Sequence, residues 1–283
     1  MGSGLRRFQD KLAYGLGALC VGVAIVPLAS ILFEVVRNGV SALSPQFLTS
    51  PPGVFGQAGG GIANAIQGTA ILLALASAMA VPFGLLSGVY LAEFGDNKYG
   101  RTVRFLNDVL TEFPSIVIGI LVYSIIVLAM RGFSTIAGAV ALAIIMLPII
   151  TRTTEESIKI VPSSIRDAAM ALGIRRWRAT ISVVLSTARS GVITGILLAI
   201  ARVSGETAPL LLTVLGSQFF FNGLNQPIAA LPLTIYRDAN LPYAFARQQG
   251  WGAALVLILM VLGLNIGVRL ATRGRYNSLR SRV

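Results

Sequence analysis

The amino-acid sequence predicts an all-α, polytopic membrane protein with six transmembrane helices. Of its 283 residues, 55% are hydrophobic and only 12% are charged, and the mean hydropathy is +0.78. A water-soluble domain carries about twice that charged fraction, close to 25%. The apolar residues are gathered in long runs, several of which exceed the roughly 20 residues that a helix needs to cross a bilayer. We therefore expect residues 1–283 to form a single transmembrane domain.

The predicted spans are separated by polar or Gly/Pro-rich segments. The first run is longer than the apolar core of a secretory signal and ends without a small-residue cleavage site, so we interpret it as a retained span. The second run exceeds the bilayer thickness, and Pro82 and Gly84 give it a place to kink. Residues 226–236 are too short to span and predict an interfacial or re-entrant element. The six spans cover about residues 12–36, 62–90, 109–130, 135–150, 190–215 and 251–270.

The distribution of charge predicts which side of the membrane each loop faces. The chain has 23 Lys and Arg against 11 Asp and Glu, and most of the basic residues fall in the N-terminus, the turn at 93–105, the loop at about 151–186 and the tail. Because basic residues accumulate in cytoplasmic loops, we place these segments and both termini in the cytoplasm. The chain is thus predicted to be a multi-pass protein of the cell (inner or plasma) membrane. Topology accounts for the positive charge, so nucleic acid is not a predicted partner.

The residue inventory excludes several kinds of chemistry. Histidine is absent and Cys20 is the only cysteine, so the sequence predicts no metal site, no disulfide and no catalytic residue. It also lacks the Gly-rich phosphate-binding loop that ends in Lys-Ser or Lys-Thr. We expect a non-catalytic chain that binds no cofactor of its own.

The polar loop at 151–186 contains a predicted short helix. Ser164 and Asp167 have the spacing of a capping box and Gly173 is a natural stop. A helix of about two turns is unstable alone in water, so it must dock against something. Two hypotheses stay open: it lies on the membrane surface or its own bundle, or it binds a partner protein. The helix should run from about Ile165 to Leu172, with an apolar stripe of Ile165, Ala168, Ala169 and Leu172.

Two charged residues lie inside the predicted fifth span. Arg202 falls near its middle, and Glu206 follows one helical turn later on the same face. A charged side chain at the centre of a span costs about 2.5 to 3.5 kcal/mol on insertion scales, so we expect it to have a structural or functional role. One hypothesis is a buried pair that only fixes helix packing. The other is a pathway residue, because a guanidinium is a permanently charged fork suited to an oxyanion. Asn64 and Gln67 are candidates for the same pathway, although a solvated helix end explains them equally well.

The polar loop resembles the cytoplasmic loop of ABC-importer permeases, which carries the pattern Glu-Ala-Ala-x-x-x-Gly followed by Ile-x-Leu-Pro. The matching residues here are Asp167-Ala168-Ala169, Gly173 and Val183-x-Leu185-Ser186, with Ser186 in place of proline as the main departure. The resemblance implies a type I ABC importer permease (MetI-like) fold, in which this loop forms a coupling helix seated in a cleft of the ATPase. The residues implied in ATPase coupling are Ile165, Asp167, Ala168, Ala169, Leu172 and Gly173.

Four further stretches resemble the permeases of phosphate-specific (Pst) importers, and among them the A-type permease. The resemblance implies three kinds of partner: a dimer of cytoplasmic ATPase subunits that carries ATP and Mg²⁺, an extracytoplasmic phosphate-binding protein, and a second permease of different sequence. It also implies that Arg202 contacts phosphate in transit. A permease for sulfate or molybdate, and an autonomous channel or carrier, are the alternatives. The four stretches are AGGGIANAIQGT (58–69), GVYLAEFG (88–95), PSIVIG (114–119) and ARVSGETAPLLLT (201–213).

Overall fold

Helices make up most of the structure, which is a computed structural model. It describes the backbone of residues 3–54, 56–57 and 59–280, and the side chains of residues 10–272 within those ranges. Most of the basic side chains at the two chain ends, which we predict to be cytoplasmic, lie outside the described residues. The all-α class is confirmed, since the described residues contain one isolated β-bridge and no strand. The helices are α1 (Ser3–Gly39), α2 (Pro45–Thr49), α3 (Ala63–Phe94), α4 (Lys98–Glu112), α5 (Ser115–Met130), α6 (Thr135–Lys159), α7 (Ser163–Ala171), α8 (Arg176–Ser204), α9 (Ala208–Thr213), α10 (Leu231–Asn240) and α11 (Ala244–Arg280).

Up to six segments of the described structure are able to cross a membrane. Five helices are long and apolar enough, namely α1, α3, α6, α8 and α11, and the bent pair of α4 and α5 supplies a sixth if it counts as one span. Four of the predicted spans coincide with α1, α3, α6 and α11. Helix α6 continues to Lys159, so the first part of the predicted loop at 151–186 is helical.

The segment before the third span is a helix rather than the predicted polar turn at 93–105. Helix α4 covers most of this segment and is capped by Asn97, whose Oδ1 accepts a hydrogen bond from Gly100 N at 2.9 Å. Helices α4 and α5 meet at 103°, so the predicted third span, 109–130, contains the end of α4, the bend and all of α5. The break precedes Pro114 because proline disfavours helical geometry in the residue before it.

The predicted fifth span, 190–215, is wrong at both ends. Helix α8 starts earlier, at Arg176, and ends at Ser204. Gly205 follows the last helical residue, and Pro209 occupies the first turn of the separate short helix α9. Proline is well suited to a helix start and poorly suited to a helix interior. Hydropathy continues across this break, which is why the apolar run does not reveal it.

Helix α6 is the centre of the bundle and packs along α3. Two glycines of α3 let the backbones approach closely. A Cβ on Gly88 would lie 2.6 Å from the carbonyl oxygen of Thr151, and a Cβ on Gly84 would lie 2.7 Å from Ile150 Cγ2. In lipid, where burial of apolar surface gives no net force between helices, such close packing supplies much of the stability. Helix α1 is peripheral, because none of its most apolar stretch is buried.

We expect Gly88→Ala to destabilise the protein, because the new methyl group overlaps the backbone of α6. Overpacking of this kind costs about 1 to 3 kcal/mol, which thermal unfolding in detergent will show as a lower Tm. Gly263→Ala is the matched control, since nothing lies within 4 Å of its added Cβ. The control should keep or raise the Tm, because alanine favours a helix over glycine. Equal effects of the two changes would contradict the close packing at Gly88.

Candidate functional site

Arg202 lies in the last turn of α8, so its predicted position near the middle of a span is wrong. The predicted pair with Glu206 does form, with Arg202 Nη2 3.8 Å from Glu206 Oε1. It bridges the end of the helix rather than one helical face, since Glu206 lies beyond Gly205 and its backbone N donates to Val203 O at 3.1 Å. The two charges therefore meet where the helix stops.

The break between α8 and α9 is held by the neighbouring helix α5. A Cβ on Gly119 would lie 2.8 Å from Pro209 Cα, so the glycine allows α5 and α9 to touch. Gly119 ends the stretch 114–119, and Pro209 belongs to the stretch 201–213. Two of the stretches that carry the resemblance thus pack against each other, and this contact places the helix end that bears Arg202.

The guanidinium of Arg202 retains its capacity to bind an anion. At 3.8 Å its contact with Glu206 is longer than a hydrogen bond, and its side chain bonds to no other described residue. The Arg202 side chain is 61% exposed, whereas that of Glu206 is 14% exposed. Arg202 therefore presents a planar, permanently charged fork at the surface of this chain. Such a fork can donate two parallel hydrogen bonds to the oxygens of an oxyanion.

Asn64 and Gln67 brace a loop instead of reaching Arg202. Asn64 is buried, and its Nδ2 donates to Ser217 O at 3.0 Å. Gln67 Oε1 accepts from Phe221 N at 3.0 Å. Both hydrogen bonds attach the first turns of α3 to the loop between α9 and α10. A role for these two residues in the pathway stays a prediction.

Helix α7 is the predicted short helix of the polar loop, displaced by one or two residues. It ends as predicted, because Gly173 takes the left-handed conformation with φ +77°. Gly173 N donates to Met170 O at 2.9 Å, and Ile174 N donates to Ala169 O at 3.3 Å, which is the Schellman arrangement. The predicted capping box is wrong. The residue before the helix is Pro162, no side chain caps the first turn, and Asp167 lies inside the helix.

The predicted apolar stripe of α7 is divided between two faces. Ala169 is buried and Ile165 is half-buried against this chain. Ala168 is exposed, and Leu172 just beyond the helix is 82% exposed. The exposed residues from Asp167 to the helix end, here called the coupling surface after the role that the resemblance implies, are Asp167, Ala168, Met170, Ala171 and Leu172.

The division of the stripe follows from an ion pair that the sequence analysis missed. Arg166 Nε donates to Glu93 Oε1 at 2.7 Å, and only 4% of the Glu93 side chain is exposed. The same guanidinium donates to Val161 O at 2.8 Å and to Ile158 O at 3.0 Å, which satisfies carbonyl groups at the end of α6. Arg176, at the start of α8, donates to Glu93 O at 2.7 Å. Glu93 thus ties α7 to the ends of α3, α6 and α8.

A second buried carboxylate holds α4 against the same end of the bundle. Glu155 Oε1 accepts from Arg104 Nε at 2.8 Å and from Lys159 Nζ at 2.6 Å. Arg104 also donates to Leu91 O and Gly95 O, so it caps the end of α3. The one-turn spacing of Glu155 and Lys159 was readable in the sequence, and Glu93 lies in the stretch 88–95. The sequence does not reveal the partners of these two carboxylates on other helices, which are Arg166 for Glu93 and Arg104 for Glu155.

Comparisons with known proteins agree on the class of protein. Residues 80–274 match the family described as binding-protein-dependent transport system inner membrane component. The chain is 43% identical over 268 residues to the phosphate transport system permease protein PstA of Yersinia pestis, covering 93% of this chain and 90% of the relative. PstA of Haemophilus influenzae is 41% identical over 266 residues and 94% of each chain. An inward-facing structure of the MetNI methionine ABC transporter is 16% identical, with a TM-score of 0.63 over 75% of this chain and 96% of that chain. The predicted MetI-like fold is confirmed.

We expect loss of the Glu93–Arg166 pair to destabilise the structure strongly. Arg166→Met leaves the Glu93 carboxylate with little access to water and no opposite charge, and Glu93→Gln leaves the Arg166 guanidinium without its counter-charge. Removing one partner of a buried pair costs about 3 to 5 kcal/mol. The double variant should be less unstable than the sum of the two, because neither charge is then orphaned. Thermal unfolding in detergent measures all three.

The exposed pair of Arg37 and Glu34 supplies the control for this experiment. Its atoms are 3.7 Å apart and its side chains are 67% and 45% exposed. Glu34→Gln should therefore change the stability by less than about 1 kcal/mol. Additive effects at Glu93 and Arg166, or an equal loss at Glu34, would show that Glu93 does not have the organising role described above.

Proposed function

The chain belongs to the family of binding-protein-dependent transport system inner membrane components, and we propose that it is a permease subunit of an ATP-driven phosphate importer. Its relatives at 41 and 43% identity are phosphate transport system permeases. The observation that carries the proposal is Arg202, an exposed guanidinium at a helix end beside Glu206. In this proposal the chain forms half of the translocation pathway and Arg202 contacts phosphate in transit.

Arg202 and Glu206 together suit an anion that must leave as well as enter. A lone, partly desolvated guanidinium would hold phosphate tightly through two charge-assisted hydrogen bonds. The carboxylate of Glu206, 3.8 Å away, repels the anion and attracts the guanidinium once the anion departs. The pair therefore lowers the affinity of the site without removing its preference for a tetrahedral oxyanion.

The coupling surface on α7 is proposed to sit in the cleft of an ATPase. Its members are small or apolar apart from Asp167, which suits a close protein contact. Arg166 and Glu93 attach this helix to the bundle, so a displacement of α7 displaces the ends of α3, α6 and α8 as well. Helix α8 then connects this end to Arg202, about 40 Å away along its axis at 1.5 Å per residue. Movement of the ATPase is thereby linked to the anion site.

The proposed complex has a second permease of different sequence, two ATPase subunits and an extracytoplasmic phosphate-binding protein. The large exposure of Arg202 supports a pathway between two permeases, since a charge cannot face lipid without great cost. This chain is non-catalytic in the proposal, because ATP and Mg²⁺ are bound by the ATPases. The coupling surface and both termini lie in the cytoplasm, as the excess of basic residues on that side supports.

A permease for another oxyanion, such as sulfate or molybdate, is the alternative. The guanidinium of Arg202 favours it equally, because any tetrahedral oxyanion offers two oxygens to the fork. Phosphate is favoured by the names of the relatives. Uptake of labelled phosphate into liposomes, with sulfate or molybdate as competitor, separates the two. Strong competition at equal concentration would favour the alternative.

We expect Arg202→Gln to lower phosphate uptake by about 100-fold, the loss that matches roughly 3 kcal/mol of charge-assisted hydrogen bonding. Arg202→Lys should recover only part of the uptake, because lysine keeps the charge but not the fork. Uptake into proteoliposomes that contain the whole complex measures both. Arg37→Gln, another exposed arginine at a helix end, is the control and should transport normally. Normal uptake by Arg202→Gln would rule out the pathway role.

We expect Asp167→Arg to release the ATPase subunits from the complex during purification, because it reverses the one charge of the coupling surface and adds a longer side chain there. Asp96→Arg makes the same change of charge at another exposed position near this end of the bundle, and it should retain them. The ratio of ATPase to permease after affinity purification is the readout. Release by both variants, or by neither, would contradict the assignment of the coupling surface.

A further inference from the structure

A cleft on the surface of the chain lies between α10 and the loop that joins α9 to α10. Its volume is about 490 Å³, which falls within the range of roughly 300 to 1,000 Å³ that is typical of ligand sites. Leu211 of α9 lines the cleft, and its backbone N donates to the carbonyl oxygen of Thr207 at 3.0 Å. Since Thr207 directly follows Glu206, the cleft adjoins the short helix that begins beside the pair of Arg202 and Glu206.

Arg237 of α10 is the only charged residue among the described residues that line the cleft. Its Nε donates to Asp238 Oδ1 at 2.8 Å, and its two Nη groups donate to no described residue. The side chain of Arg237 is 45% exposed, whereas that of Asp238 is 4% exposed. An exposed guanidinium beside a shielded carboxylate is also the arrangement of Arg202 and Glu206. Arg237 therefore offers an anion the part of its fork that Asp238 leaves free.

Neutralisation of Asp238 does not by itself account for this pair. A guanidinium binds a carboxylate most strongly through two parallel hydrogen bonds. Only one forms here, and Asp238 Oδ2 is buried without a hydrogen-bond partner among the described residues. The single bond fixes the orientation of the guanidinium through Nε and leaves both Nη groups available. Asp238 thus acts as a positioning residue for Arg237.

The loop supplies further hydrogen-bond donors to the same cleft. Gly216, Ser217 and Gln218 line it, and their backbone N–H groups donate to no described acceptor. Successive backbone N–H groups at a turn form concavities that bind anions. Asn64 holds this part of the loop in place through its hydrogen bond to Ser217 O at 3.0 Å. The donors are therefore present before a ligand arrives.

We propose that this cleft is a second oxyanion site, in which the Nη groups of Arg237 and the N–H groups of the loop bind a tetrahedral anion. The described residues that line it include no carboxylate that would repel the anion. The nearby carboxylate of Asp238 weakens the attraction and so keeps the binding reversible. Several weak sites let an ion move on, whereas one strong site holds it. The choice of phosphate as the anion rests on the proposed function.

Protection of a nearby thiol from alkylation tests the site. Asn240→Cys places the thiol in the lining of the cleft, and Ala239→Cys places it at the adjacent exposed position, which does not line the cleft. Both changes are made together with Cys20→Ser, since Cys20 is exposed. The complex of both permeases and the ATPases is purified in detergent without the binding protein, and alkylation of this chain by N-ethylmaleimide is followed by mass spectrometry. Inorganic phosphate should slow the reaction at position 240 and leave that at position 239 unchanged.

The protection should depend on Arg237. Arg237→Gln should raise the phosphate concentration needed for half-protection by about 10- to 100-fold, the range that loss of a hydrogen bond to a charged group gives. This change leaves the Asp238 carboxylate without its counter-charge, so Arg237→Gln combined with Asp238→Asn tests the same loss in a neutral pair. Arg247→Gln removes an exposed arginine of α11 that does not line the cleft, and it should leave the protection unchanged.

Equal protection at positions 239 and 240, or protection that survives in both variants without Arg237, would overturn the proposal. So would protection by the phosphate-free binding protein alone, which would indicate a protein contact. Protection by phosphatidylglycerol in nanodiscs without phosphate would also overturn it, because the ligand would then be a lipid headgroup.

The assay separates this proposal from the proposed function because it measures binding without transport. Protection by sulfate or molybdate but not by phosphate would support the oxyanion site and contradict phosphate as the cargo. No protection by any of the three anions, together with normal uptake of phosphate that depends on Arg202, would overturn the second site and leave the proposed function standing.

Discussion

The buried carboxylate of Glu93 is the contact on which the arrangement of the coupling surface depends. A carboxylate that is shielded from water must be paired, and Arg166 satisfies it at 2.7 Å while also capping the end of α6. The backbone oxygen of the same residue binds Arg176 at the start of α8. Three spans and the short helix α7 therefore end in one polar cluster, and α7 presents only one of its faces outward.

Helix α8 connects the polar cluster around Glu93 to Arg202. It begins beside Glu93 and ends two residues after Arg202, with Gly205 and α9 beyond. At its far end, Pro209 and Gly119 fix the helix end against α5. Arg202 and the polar cluster around Glu93 thus lie at opposite ends of one helix.

Much of this was predictable from the sequence, since hydropathy locates membrane helices. The short helix of the polar loop, its stop at Gly173 and the pair of Arg202 with Glu206 were all found in the structure. The capping box and the continuous apolar stripe were wrong. Both rest on the assumption that a short helix organises itself, whereas Arg166 and its partner 73 residues earlier set which face of α7 is buried.

The sequence by itself determined the class of fold, the number of apolar segments and the residue types that suit an oxyanion, because these depend on composition and local periodicity. Only the tertiary structure decided where α8 ends, that Asn64 and Gln67 brace a loop, and which residues of α7 are exposed. These features depend on contacts between segments far apart in the chain, such as Asn64 with Ser217, 153 residues later. The local sequence pattern does not predict such partners, since an Asn or Gln near a helix start can be solvated, can cap a helix or can bind a distant loop.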